Sequence, residues 1–450
     1  MAVSTPSASV NTHWFWGAMQ DFNRDSLRFL LNVRKFGDLV QTRFGPFRVY
    51  FLNHPELIHQ ILVDDHQHMY KSRVTKRVLE PVVGNGLFTN DGESWKRQRR
   101  LAQPAFHSRR IGAYADIMSS YAAMMTEAWQ DEAQLDIDLE MTALTMRIIA
   151  KTLFDADVSG EERDVGDAIT AVLSTVNMRF NRLIPRPDWL PTEENRRFRR
   201  DVQHLDRIIQ RFIDERRASG VDKGDLLSML LLALDDDGSG GMTDKQVRDE
   251  AMTLFGAGHE TTANALTWTL YALSQNPEVE ARLHDEVDLV LGGRRPALDD
   301  LPKLPYTEMV VKEAMRLYPP AWAFSREPIH DVMIDGVPVR RGETIMINIF
   351  GMHRDARFFP DPERFDPERF SPENEKSIPK YAYLPFGGGP RICIGNAFAM
   401  MEARLILATI AQRYTLEVVP GHKVVPERVF TLRPKYGMKM IARRRNSVQA

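Results

Sequence analysis

The apolar positions of this chain change rhythm several times along its length. Up to about Asp65, strand-like and helix-like stretches alternate. Phe47–Leu52 is a β-branched and aromatic run, and a helix is expected after Pro55. From about Trp95 to Pro277 a helical period dominates. Two loops interrupt it, PRPDWLP at Pro185–Pro191 and the acidic DDDGSGG at Asp235–Gly241. Aligning the second with a calcium-binding loop puts Ala233 at the first ligand position, so it reads as a solvated turn. A longer element follows. Thr243 and Gln246 have the spacing of a capping box, and the pattern runs without proline to Asn276, ahead of Pro277. At the helical rise such an element spans about 45 Å, enough to cross the whole molecule. Tyr306–Tyr318 is helical and stops at Pro319 and Pro320. Val332–Ile349 alternates as strands do. Pro360–Pro390, rich in proline, glycine and aromatics, reads as an ordered meander, and Asn396–Tyr414 as the last helix. These elements predict a mainly α (α+β) chain with a small sheet, one domain over residues 1–450 and no internal repeat.

Composition narrows the class. At 450 residues the chain can bury a large core and still enclose a cofactor. Basic and acidic residues nearly balance, 59 against 61, so no nucleic-acid partner is expected. A single cysteine excludes an intrachain disulfide and any multi-cysteine zinc or iron–sulfur site. The strongest apolar run, Leu226–Leu234, is broken by Ser228 and falls short of the ~20 residues a membrane span needs. The N-terminus lacks a basic start followed by an apolar block. Trp14, Phe15 and Trp16 are expected to pack on the protein body, and a cytoplasmic monomer is expected.

The lone cysteine, Cys393, lies in PFGGGPRICIGNAFAMMEARL. A cysteine taken singly is a small buried hydrophobe. Here Gly387–Gly389 allow positive φ and a close backbone approach to a flat partner, and a helix opens just after the sulfur. Amides at a helix start favour an anion, which is expected to lower the thiol pKa. Phe386 is placed to shield the sulfur from water.

The stretch Phe386–Gly395 resembles the haem-binding signature of the cytochrome P450 family, F-x-x-G-x-R-x-C-x-G, at Phe386, Gly389, Arg391, Cys393 and Gly395. The resemblance implies that Cys393 is the axial thiolate of a haem b iron, donating electron density that promotes O–O cleavage. AGHETT at Ala257–Thr262 resembles the family's acid–alcohol motif. By that resemblance Gly258 makes room for oxygen, Thr261 rather than Thr262 holds a water near the bound dioxygen, and Glu260 relays protons. The plain alternative is a packing glycine and a surface glutamate. Glu313 and Arg316 in KEAMRLYPP resemble the buried E-x-x-R pair, with Arg369 as third member and Arg364 as the substitute. Trp95, Arg99, Arg326 and Arg391 match positions that hold the haem propionates.

The resemblance implies a triangular helical fold and the use of O2 and two electrons to insert one oxygen atom into a lipophilic substrate, of the fatty-acid, terpenoid or carotenoid class. Too little chain follows Cys393 for a fused reductase. A ferredoxin or flavodoxin with its NAD(P)H-dependent reductase is therefore expected, and Lys96, Arg97 and Arg100 read equally as its basic docking patch or as a solvated helix face. Carried-over substrate positions are Val82, Val83, Leu87, Phe255, Ala257, Ala323, Phe324 and Phe430, each of which fits ordinary core equally well. Arg73, Lys76 and Arg77 read as a solvated run rather than a carboxylate site. The rivals are a peroxide-driven haem-thiolate enzyme and a non-catalytic haem sensor; the intact Glu260–Thr261 pair favours an oxygen-reducing enzyme.

Overall fold

The computed structural model describes residues 8–9, 16–156, 162–180, 182, 187–232 and 241–445. Trp14, Phe15, the start of the Pro185–Pro191 turn and all but the last residue of the Asp235–Gly241 loop lie outside that set. The helices that position the site are α1 (Arg73–Val83), α2 (Gly92–Ala102), α3 (Ile137–Phe154), α4 (Asp244–Ser274), α5 (Pro305–Leu317) and α6 (Asn396–Arg413).

Helix α4 runs for 31 residues. Its start is fixed by the reciprocal cap anticipated from the sequence: the Thr243 hydroxyl accepts from the Gln246 amide, and the Gln246 side chain accepts from the Thr243 amide. Ala251, Leu266 and Trp268 are fully enclosed, and buried positions fall on every face of the helix, which places it in the core. Gly258 sets its contact with α3: a Cβ there would stand 2.6 Å from Ile149 Cδ1. The glycine therefore admits a neighbouring helix.

The main sheet has the order Ala8–Ser9, Leu39–Phe44, Phe47–Leu52, Thr344–Ile347, Phe324–Pro328, Met69–Lys71. Leu39–Phe44 and Phe47–Leu52 form a hairpin in register Phe44↔Phe47, and Phe51 lies beside Met346. Beneath it Tyr50, Leu52, Ile345 and Ile347 make a second apolar cluster, which reaches Leu384 just before the cysteine loop. One strand departs from the expected helical stretch. Ala133–Asp136 pairs with Lys439–Arg444, which in turn pairs with Tyr414–Val418. A four-residue strand carries no periodicity of its own and exists here because a distant partner supplies its ladder. Among the described residues no helix is long and apolar enough to cross a membrane.

Candidate active site

The cysteine loop is closed by its own backbone: the Cys393 amide donates to the Phe386 carbonyl at 2.9 Å. Gly387 and Gly389 take φ of +72° and +66°, which a side chain would strain. The close approach at Gly389 is to protein, since a Cβ would lie 2.0 Å from the Leu62 carbonyl oxygen. Gly388 similarly meets the Tyr381 ring. The sulfur keeps open surface even though chain surrounds it. Burial pushes the Cys393 thiol up, opposed by the Gly395 amide and the Arg99 guanidinium. The expected lowering is thus reversed, because one partly screened cation and one amide do not outweigh desolvation.

Beside the loop, four cations gather around one carboxylate. Asp91 takes the Arg391 guanidinium in an ion pair and Lys76 Nζ at 2.6 Å. Lys71 donates its amide to the same carboxylate, at 3.2 Å to Oδ2. Arg326, nearly fully buried, donates to the Ser325 carbonyl and is pushed down to about 10 by burial and by Arg391. Burial pushes Lys71 down to about 7, with Arg391, Arg326 and Lys76 adding repulsion. Positive charge therefore exceeds the single carboxylate at its centre, which suits a bound group carrying two carboxylates. Arg391 also lies over the Trp95 ring at 4.7 Å. Arg99 donates to the Ile392 carbonyl at 2.9 Å. Asp91 and Lys71 escaped the sequence reading. Lys76 is drawn inward rather than solvated, and Arg73 pairs with Glu327.

The middle of α4 carries an accessible strip inside an otherwise buried helix. Ala257 is exposed, Gly256 faces open space, and the Thr261 hydroxyl is accessible, donating to the Ala257 carbonyl at 2.9 Å. Thr262 turns instead toward the fully buried Glu402 of α6. Glu260 does not face Thr261. Its Oε1 accepts from the Thr431 hydroxyl at 2.7 Å, and burial raises its pKa against the opposing pull of Thr431 and Arg433. Thr431 sits in the turn between strands Pro426–Arg428 and Leu432–Pro434, beside Phe430.

The expected substrate residues divide. Phe430 stands 5.6 Å from Phe88 and 6.5 Å from Phe180, ring to ring. Phe88 and Phe180 were missed, although both are aromatic. Phe324 contacts the Arg326 guanidinium and stands 3.8 Å from the Cβ position of Gly387. Ala323 and Val83 are partly buried; Val82 and Leu87 are buried at the edge of the main core. Phe255 belongs elsewhere: its neighbours are Phe154, Phe212 and His259, a core position off the accessible strip. The Leu87 peptide is gripped at both ends, its amide donating to Glu250 Oε2 at 3.0 Å and its carbonyl accepting from Lys71 Nζ at 2.7 Å.

Behind the cysteine loop, Glu313 and Arg316 are wholly enclosed and joined by two hydrogen bonds, at 2.7 and 2.8 Å. Arg369 Nε stands 3.4 Å from Glu313, whereas Arg364 offers Arg316 only its carbonyl. On the outer face near Arg99, a basin of about 650 Å3 is lined by Lys96, Arg99, Arg100, His107, Arg109 and Arg110. Arg97 is not among them and donates to the Gly241 carbonyl.

Comparison with known proteins places the chain in a family. A family model described as Cytochrome P450 matches residues 7–441. Cyclooctatin synthase of Streptomyces melanosporofaciens is 41% identical, the alignment covering 90% of this chain and 88% of that protein. Cyclooctat-9-en-7-ol 5-monooxygenase of the same organism is 39% identical, over 88% and 86%. Pentalenene oxygenase of Streptomyces avermitilis is 36% identical, over 91% of each.

Proposed function

Because the chain belongs to the cytochrome P450 family, whose members are monooxygenases, we propose that it inserts oxygen into a cyclic terpenoid and that Cys393 is the thiolate ligand of its haem. The observation that carries the assignment is the excess of buried cations around Asp91, next to a cysteine sulfur with open surface. Arg326 and Arg391 hold the propionates, with Trp95 backing Arg391 and Arg99 steadying the cysteine loop. Phe386 and Gly389 shape that loop. When bound, the haem supplies the oxygen-activating chemistry. Thr261 holds water on the accessible strip of α4, and Glu260 feeds it protons. Phe88, Phe430, Phe324, Ala323, Val83 and Ala257 face the substrate, and the apolar lining suits a hydrocarbon skeleton. The three relatives named above are called a cyclooctatin synthase, a cyclooctat-9-en-7-ol 5-monooxygenase and a pentalenene oxygenase; these names point to cyclic skeletons, which supports a cyclic terpenoid over a linear fatty acid.

Electrons come from a separate ferredoxin or flavodoxin. The basic basin of Lys96, Arg100, Arg109 and Arg110 is its docking face, on the cysteine side of the haem. Glu313, Arg316 and Arg369 hold the meander behind the loop and take no part in chemistry.

The test begins with the reduced, carbon monoxide-treated protein. The absorbance band of a thiolate-ligated haem is expected, and Cys393→Ser should abolish it. Cyclic terpene hydrocarbons and alcohols are then compared with fatty acids for the spectral change that accompanies displacement of the iron's water. Binding of fatty acids alone would overturn the terpenoid assignment.

A further inference from the structure

Both members of the acid–alcohol pair are committed elsewhere. Thr261 donates to the carbonyl one turn back, and Glu260 is held by Thr431. The direction of the second bond is fixed by a third residue. Asn264 Nδ2, one turn further along α4, donates to Thr431 Oγ1 at 3.1 Å. An amide N–H can only donate, so the threonine oxygen accepts there and its own proton points to Glu260. Thr431 and Asn264 are both buried, where a satisfied donor–acceptor chain rigidifies its members.

The chain also ties α4 to the hairpin formed by Pro426–Arg428 and Leu432–Pro434. Trp268 Nε1, again one turn on, donates to the Leu432 carbonyl at 3.0 Å. Trp322 Nε1 donates to the Val429 carbonyl at 3.3 Å, and the Leu432 amide donates to the Pro320 carbonyl at 3.0 Å. Phe430 is the turn residue between these anchors. Its ring leaves the cluster and meets Phe88 and Phe180. A molecule seated against that aromatic group would touch the residue adjacent to Thr431.

We propose that Thr431 is a positioning residue that parks the Glu260 carboxyl away from Thr261, and that substrate pressing on Phe430 loosens the Thr431 bond and frees the carboxyl. Proton delivery is then tied to occupancy of the substrate side. The proposal rests on the reading that Glu260 feeds protons to Thr261. The charged groups that face Glu260 are Arg433, from the hairpin strand, and Asp138, from the first turn of α3. Arg433 is itself paired with Glu427 at 3.3 Å. Asp138 is pushed up to about 7, burial and Asp136 raising it against Arg433. Neither is altered by the substitutions below.

The test uses the haem-loaded, resting protein and infrared difference spectroscopy, with Glu260→Gln identifying the Glu260 carboxyl band. In Thr431→Val the hydroxyl donor is lost at constant volume. The band should move to higher wavenumber, and its titration midpoint should rise by about one pH unit, the size expected when a carboxylate loses one donor. Thr431→Ser should restore both. Adding a bound terpenoid to the unaltered protein should move the band in the same direction as Thr431→Val does. In turnover, Thr431→Val should leak peroxide in the absence of a well-seated substrate, whereas the unaltered protein holds back. An unmoved band in Thr431→Val, or a band that ignores substrate, would overturn the proposal. Full coupling in Glu260→Gln would instead remove the proton-feeding role, and the infrared arm would still decide whether Thr431 parks the carboxyl.

Discussion

Glu250 of α4 is wholly buried, takes the Leu87 amide on one oxygen and leaves the other without a partner among the described residues. Burial raises it from 4.5 to about 7, with Asp249 adding to the rise and the Leu87 amide and Lys71 opposing it. The folded protein therefore keeps a proton that the unfolded chain releases near pH 4.5. Stability from this group is whole below that pH and is lost as pH climbs to about 7. Between those limits the unfolding free energy should fall by up to about 3 kcal/mol on this account. Glu250→Gln should flatten that part of the profile in urea unfolding, while equal slopes in both proteins would place the effect elsewhere. At this scale the sequence revealed residues that sit in motifs: Cys393, Glu313, Arg316. It concealed Asp91, Lys71, Glu250 and Thr431, whose significance comes from a partner far along the chain. Asp91 and Arg391 are 300 positions apart, and no local pattern encodes such a meeting. Phe255 shows the converse error, since an apolar residue near a motif fits a core position as well as a pocket wall.

The helices were legible because their signals are local. The cap at Thr243, the stop at Pro277 and the run Asn396–Arg413 lie where periodicity and punctuation put them. What periodicity could not give was the use of Gly258, since a mid-helix glycine reads alike whether it admits a ligand or a neighbouring helix. The contact with Ile149 shows that it admits a neighbouring helix. Gly258→Ala gains helix propensity worth about 1 kcal/mol but forces Ile149 Cδ1, the movable end of that side chain, to shift. The net gain should therefore be smaller than that, and larger when Ile149→Val, which removes Cδ1, is made in the same chain. Additive effects of the two substitutions would show that the α3–α4 contact is not the reason for the glycine.

Across the whole molecule the formal charge is only −2, yet the cations are unevenly placed. Arg100 and Arg109 line the basin beside the cysteine loop, where Arg99 touches the Ile392 carbonyl. Clustered charge accelerates association with an oppositely charged partner by about ten- to a thousandfold, and salt erases the gain. Arg100→Glu with Arg109→Glu should slow reduction by an acidic ferredoxin at least about tenfold at low salt and remove most of its salt dependence. Stopped-flow reduction measures this, with an unaltered ferric spectrum as the control. A rate unchanged at every salt concentration would place docking on another face.

The span between Asp91 and Arg391 has a further consequence, for the order of events in making the protein. The cation cluster draws on residues 71, 76 and 91 near the beginning, 326 later, and 391 close to the end. At about 5–20 residues per second on the ribosome, the early members wait tens of seconds for the last one. Until Arg391 emerges, Asp91 can hold Lys71 and Lys76 but cannot be joined to a cysteine loop that does not yet exist. Completion of the cluster is therefore a late event, reserved for a chain whose cysteine loop has already left the exit tunnel.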